Sequence, residues 1–224
     1  MVMPYCVVIP AFNAADTLAA AVGSIMAQSI LPTRIVIVDD GSTDATVKIV
    51  EGLPGPIHLI RQDNQGPGAA TTVGFALCDQ PLVATLDADD LWLPHKVTCQ
   101  QAHFDEHPEL AAVFCKLANF HADPKDADFA TARGGWSRST MLIRREVIDR
   151  VGPIIDPPGR AGEMVDWFAR AQEQGHRMAL LEEPLALRRI RPGSLTYHND
   201  DLARGYLHVA RAALLRRRSA VEKG

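Results

Sequence analysis

The sequence has no apolar run long enough to span a bilayer and no basic-then-apolar signal at its start, so a cytoplasmic protein is expected. It shows no internal repeat and no low-complexity tract, which argues against solenoids and disordered linkers. Cysteine is scarce. Cys6, Cys78, Cys99 and Cys115 stand singly without metal-site spacing, and Cys6 and Cys115 sit in apolar runs as expected core thiols of a reducing compartment. Cations are scarce in the first half: residues 1–110 carry 4 Lys/Arg against 13 Asp/Glu, whereas residues 111–224 carry 19 against 14. An acidic half that holds a cation and a basic half that holds phosphates would fit this, as would chance clustering of surface charge. A formal net charge of −4 gives no reason to expect a nucleic-acid partner. With 47% apolar residues over 224 positions, the chain can form one large α/β domain or two small ones.

What stands out is Leu86-Asp87-Ala88-Asp89-Asp90. It follows the apolar run Pro81–Thr85, which reads as a buried strand, and it crowds three carboxylates into four positions. Like charges so close are costly unless a cation sits on them. An Asp-x-Asp at a strand end is a compact set of oxygen ligands for Mg²⁺ or Mn²⁺. A solvated turn with a helix cap is the plainer alternative.

The rest of the chain favours a site. Tyr5–Pro10, Arg34–Asp39 and Ile57–Arg61 read as buried strands. Helices are predicted from an Asp16 cap to Gln28, over 45–51, and over Ala69–Leu77. Strands alternating with helices predict a parallel sheet with right-handed crossovers and ligands at the strands' carboxyl ends. Asn13, Asp39, Asp40, Asn64 and Asp87–Asp90 all fall there, although each alone could be a turn or cap. Further on, a helix from Pro94 to His107 and a strand over Leu110–Phe120 are predicted. Residues 121–138 read as a loop, Ser139–Ile143 as a strand and Glu146–Val151 as a helix. Glu163–Gln174 reads as a helix ended by Gly175 at C′. Met178–Leu181 and Leu185–Arg188 read as two strands. A last helix is expected from Asn199 to Arg218; its basic end is either solvated or a peripheral contact to an anionic membrane.

Val7–Asn13, Ile37–Asp44, Asn64-x-Gly66 and Leu86–Trp92 together resemble the family 2 glycosyltransferases of the GT-A fold. Thr140–Arg145, Val151-Gly152, Glu163…Asp166-Trp167 and Glu183–Arg188 add to the likeness, which covers roughly residues 5 to 195. The resemblance implies an α/β GT-A fold: a Rossmann-like, mostly parallel sheet flanked by helices, with a smaller acceptor-side portion. Residues 1–110 would be the nucleotide-sugar half, 111–198 the acceptor and catalytic half, and 199–224 a C-terminal helix and basic tail. It implies inverting transfer of a sugar from a nucleotide-sugar donor, often a UDP-sugar, to an acceptor hydroxyl on a saccharide, lipid-linked saccharide or peptide. Mn²⁺ or Mg²⁺ would sit on Asp89, with Asp87 binding ribose or a metal-bound water. Asp40 would bond the uracil, and Pro10, Ala11, Asn13, Asn64, Gly66 and Ala88 would line the donor site.

The sequence also departs from the family. Ala70-Thr71-Thr72 replaces the Ala-Arg-Asn of many relatives, and Met164 follows Glu163 where many have the Asp base. Glu163 and Asp166 are the candidate bases. Glu163 is favoured because it lies about 100° from the expected direction on the helix, against about 200° for Asp166. Arg191 replaces a His, and Arg189 and Arg191 could clamp the diphosphate or form a solvated strand end. A catalytically idle relative that binds a nucleotide or a protein is the alternative. A nucleotidyltransferase is disfavoured, because Ala11-Phe12-Asn13 follows the first strand in place of a Gly-rich basic loop.

Overall fold

The computed structural model describes residues 2–157, 162–191, 207, 209–216 and 218. Strands β1 (Tyr5–Ala11), β2 (Arg34–Asp39), β3 (Ile57–Arg61) and β4 (Leu82–Thr85) alternate with helices α1 (Leu18–Met26), α2 (Thr46–Glu51) and α3 (Pro67–Ala76). The strands lie parallel in the order β3-β2-β1-β4. The largely apolar runs of β1, β2 (Ile35–Val38) and β4 (Leu82–Ala84) suit them to burial on both faces. In β1, Tyr5, Val7 and Ile9 pack into one apolar cluster and Cys6 and Val8 into another, so the two faces carry two cores. Register sets Ala11 beside Asp39, and Asp39 beside Arg61, so the polar residues after each strand emerge at one edge.

The second half extends the same sheet with mostly antiparallel pairings. After β5 (Leu91–Trp92) and α4 (Lys96–Glu106) come β6 (Ala112–Phe120), β7 (Asp128–Arg133), β8 (Leu142–Arg144), α5 (Arg145–Val151), α6 (Glu163–Glu173) and β9 (Met178–Arg189). The order continues β4-β8-β6-β9-β5, with β7 on β6. These pairings are antiparallel, except that β6 and β9 run parallel. The result is a mixed α/β sheet with a parallel N-terminal half. Gly175 takes a left-handed φ of 83° after α6, and the Gly175 and His176 amides bond back to Gln172 and Ala171, closing the helix as predicted.

Several boundaries differ from expectation. Asp16 does not cap α1. Thr17 precedes the helix, and the Thr17 and Leu18 amides bond to the Ala14 carbonyl. Residues 121–138 are not one loop: they hold a 3₁₀ turn at Pro124–Asp126 and the strand β7. β7 is mostly exposed, so it lacks the alternation that marks a half-buried strand. Ser139 and Thr140 belong to a 3₁₀ turn, Arg138–Thr140, and the strand starts only at Leu142. The two expected strands at 178–188 are one strand. Its register against β6 shifts around Lys116, which lets Glu182-Glu183-Pro184 pass without ending it. Cys6 is no free thiol, because it forms a disulfide with Cys78 just past α3.

Residues 209–216 are helical, but the expected start of that helix at Asn199 lies outside the described residues. Arg216, expected at a solvated basic end, instead bonds Asp166 and Glu173 of α6, both at 2.8 Å. Among the described residues, no helix is long and apolar enough to cross a membrane.

Candidate active site

The aspartates follow β4 and meet residues brought from far along the chain. Arg138 donates to Asp87 at 2.7 Å and reaches Glu163 at 3.0 Å, so one guanidinium joins the two carboxylates. Arg191 pairs with Asp89 at 3.3 Å. Arg189 donates its side chain to the Asp89 carbonyl and its backbone N–H to the Asp90 carboxylate, both at 3.1 Å, while its guanidinium lies over Phe120. The Ser139 hydroxyl donates to Asp90 at 2.6 Å and accepts the Asp87 N–H at 3.2 Å. Asp90 is thus a buried brace, while Asp87 and Asp89 keep partial exposure. Ala88, between them, is buried.

Burial and the neighbouring charge of Asp87 raise the proton affinity of both Asp89 and Asp90, that of Asp90 well above the ordinary range. Asp87 and Asp89, part-exposed carboxylates on one turn, have the donor chemistry for a hard divalent cation.

The expected nucleoside side assembles beside them. Pro10 and Ala11 are the buried end of β1. Asn13 has a left-handed φ of 48°, and its side chain accepts the Thr43 N–H at 2.9 Å, tying the turn after β1 to the turn after β2. Asp40 is buried. One of its oxygens accepts from Gln62 and from the Gln65 N–H, and the other accepts the Gly66 N–H, at 2.7–2.9 Å. Both oxygens therefore hold the 62–66 turn, which includes Asn64. Gly66 has a left-handed φ of 106°, and a Cβ there or at Gly68 would meet the carboxylate of Asp156. Asp156 accepts the Gly68 and Ala69 N–H groups at the start of α3. Thr71, where many relatives carry Arg, is buried and donates to the Pro67 carbonyl. Thr72 donates to the Gly68 carbonyl and accepts the Ile154 N–H.

On α6 the two candidate bases part company. Glu163 faces Arg138 and is 7% exposed; burial raises its proton affinity, and the Arg138 charge opposes that rise. Met164 turns into the apolar core with Trp167 and Phe168. Asp166 is held by Arg170 at 3.0 Å and by Arg216, in contact with neither Arg138 nor the aspartate turn. Of the residues that sequence reasoning did not single out for the site, Arg138 matters most. Its only signal was position, just before the strand expected from Ser139, whose observed part, β8, borders β4. Asp156 gave a weaker one, as an acid in a stretch of turn residues.

The sequence model of glycosyl transferase family 2 matches residues 6–164. The chain is 35% identical over 178 residues to an uncharacterized glycosyltransferase of Nostoc sp., covering 69% of this chain and 55% of that one. It is 28% identical over 229 residues to the succinoglycan biosynthesis protein ExoU of Rhizobium meliloti, covering 90% and 67%. The structure of S. aureus TarS 1–349 in complex with UDP-GlcNAc superposes with a TM-score of 0.71 at 18% identity, covering 93% of this chain and 66% of that one. The Pyrobaculum calidifontis mannosyltransferase PcManGT, in complex with GDP-Man and Mn²⁺, gives 0.69 at 19%, covering 87% and 59%. The chain thus spans about half the length of its Nostoc relative and two thirds of ExoU. With the family match running from β1 through the aspartates to the first turn of α6, the chain belongs to glycosyl transferase family 2.

Proposed function

We propose that the chain moves a sugar from a nucleotide-sugar donor, a UDP-sugar in the first instance, to an acceptor hydroxyl with inversion. The observation that carries this is the ion-pair chain Asp87–Arg138–Glu163, which ties the one well-placed carboxylate of α6 to the aspartate turn. In-line displacement needs a base on the acceptor side and countercharge on the leaving-group side, and this chain holds candidates for both.

Glu163 takes the acceptor's proton, its basicity raised by burial. Arg138 fixes Glu163 in place. Arg189 and Arg191, already beside Asp89, turn to the diphosphate. A divalent cation, Mn²⁺ or Mg²⁺, would be held by Asp89 and Asp87 and would offset the charge gathering on the leaving diphosphate. Asp40 supports the base pocket by holding the 62–66 turn rather than by offering a free oxygen.

A second reading rests on the same pairs. Arginines already neutralise both Asp87 and Asp89, and Thr71, Met164 and Arg191 replace residues common in relatives, which favours an idle, nucleotide-binding relative. Calorimetry with UDP, in Mn²⁺ or EDTA, and donor-hydrolysis assays separate the two. We expect metal-dependent UDP binding that Asp89→Ala weakens. Glu163→Gln should keep donor affinity but lower turnover about 10²-fold or more. UDP affinity equal in EDTA and Mn²⁺ would remove the metal role. Donor binding with no turnover in the unmodified protein would establish the idle reading.

A further inference from the structure

At its far end α4 carries a second constellation that the donor chemistry leaves unused. His103, Glu106 and His107 place one nitrogen or oxygen donor each so that all lie within 4.8 Å of one another. The spacing explains the juxtaposition. Residues three and four apart share a helix face, and His107, the first residue past the helix, folds back so that its ring centroid lies 4.6 Å from that of His103. His103 is half-buried, while Glu106 and His107 are exposed, so the donors stay open to solvent.

Two further features point to a cation here. His103 and Glu106 line a cleft of about 310 Å³ whose opposite wall is β9 at Glu182 and Glu183. Cys99, one turn back on α4, lines the same cleft and hydrogen-bonds Glu183. The cluster also sits at the carboxyl end of α4, where unpaired carbonyls give the helix a partial negative charge that favours a cation. This end lies remote from the aspartate turn. α4 starts just after that turn, and its 11 residues rise about 16 Å.

We propose that His103, Glu106 and His107 form a binding site for a borderline divalent transition-metal ion of the Zn²⁺ class, separate from the donor site. Two imidazoles and a carboxylate select such an ion over Mg²⁺ or Ca²⁺, which prefer all-oxygen shells. Three protein ligands leave a fourth position for water or for a group of the β9 wall. A metal here pins the end of α4 and the turn into β6.

The test uses the full chain without an affinity tag and Zn²⁺ as the probe. Calorimetry should find about one equivalent of Zn²⁺ bound even with millimolar Mg²⁺ present. His103→Ala/His107→Ala should weaken it at least tenfold and abolish an EDTA-reversible rise in Tm. Asp89→Ala should leave both unchanged. Zn²⁺ binding that survives the double histidine substitution but is lost in Asp89→Ala would overturn the proposal. So would the absence of any Zn²⁺-dependent rise in Tm. Should the double variant fail to fold, Glu106→Gln on the exposed face serves instead, with a fall of severalfold in Zn²⁺ affinity expected and an unchanged affinity overturning the site.

Discussion

At the residue scale, Lys96 is the most unusual group outside the site. Its side chain is fully buried at the start of α4, where the ammonium donates to the Gln100 side chain at 2.9 Å and the Met141 carbonyl at 3.4 Å and stands over the Trp92 ring. Those partners are neutral, so burial pulls its pKa down to about 8, with the Cys115 thiol as a small opposing influence. Between about 8 and the ordinary lysine value of 10.5 the unfolded chain binds more protons than the folded one. Stability therefore rises with pH across that window, and the cost stays constant below it. The full difference is about 3 kcal/mol. Lys96→Met should remove that alkaline rise in a comparison of urea midpoints at pH 7.5 and 10. A variant that retains the same rise as the unmodified protein would show that Lys96 is not its source.

At the element scale, α3 lies so close on β1 that a Cβ at Gly74 would run into the Val8 side chain. Val8 is fully buried and β-branched, so it has little freedom to turn aside. Alanine would gain up to about 1 kcal/mol of helix propensity but meet an overpacking cost of about 1–3 kcal/mol. Gly74→Ala should therefore lower Tm by a few degrees, read by calorimetry; an unchanged or higher Tm would mean that α3 shifts freely. The helix–strand alternation that sets this packing was legible, because buried parallel strands are written as unbroken apolar runs. The Asp-x-Asp turn was legible because like charges at a strand end demand a reason. Arg138 was not, since its partners Asp87 and Glu163 come from separate elements and nothing periodic marks an isolated arginine in a polar stretch. β9 was read as two strands because Glu182-Glu183-Pro184 interrupts its apolar pattern, whereas the pairing with Cys115–Leu117 of β6 that carries the strand through those extra residues is long-range and leaves no local mark. Asp40 was legible as an acid at the strands' carboxyl ends; that both its oxygens hold the 62–66 turn was not, since those partners lie 22 to 26 residues away.

At the scale of the whole molecule, one sheet runs through both halves of the sequence, and a disulfide between Cys6 and Cys78 spans a separation of 72 residues. Closing a loop of that length restricts the unfolded chain by about 4 kcal/mol in the chain-entropy account. The pairing also withdraws Cys6 from the argument for a reducing compartment, leaving Cys99 and Cys115 as the free thiols among the described residues. Thiol titration of denatured, unreduced protein should therefore find two reactive groups, rising to four after reduction, and reductant should lower Tm. Four thiols without reductant would show that Cys6 and Cys78 stay unpaired.

The contact between Asp89 and Arg191 bridges 102 positions of sequence. A ribosome adding about 5–20 residues per second delivers the carboxylate some 5–20 s before its guanidinium. Arg138 arrives partway through that interval, 51 residues behind Asp87. For those seconds the acidic first half exists without the basic groups that later offset it, and its aspartates repel one another in the open. The proposed donor site is in that sense completed late: the elements that build its floor are made early, and its neutrality comes about a hundred residues afterwards.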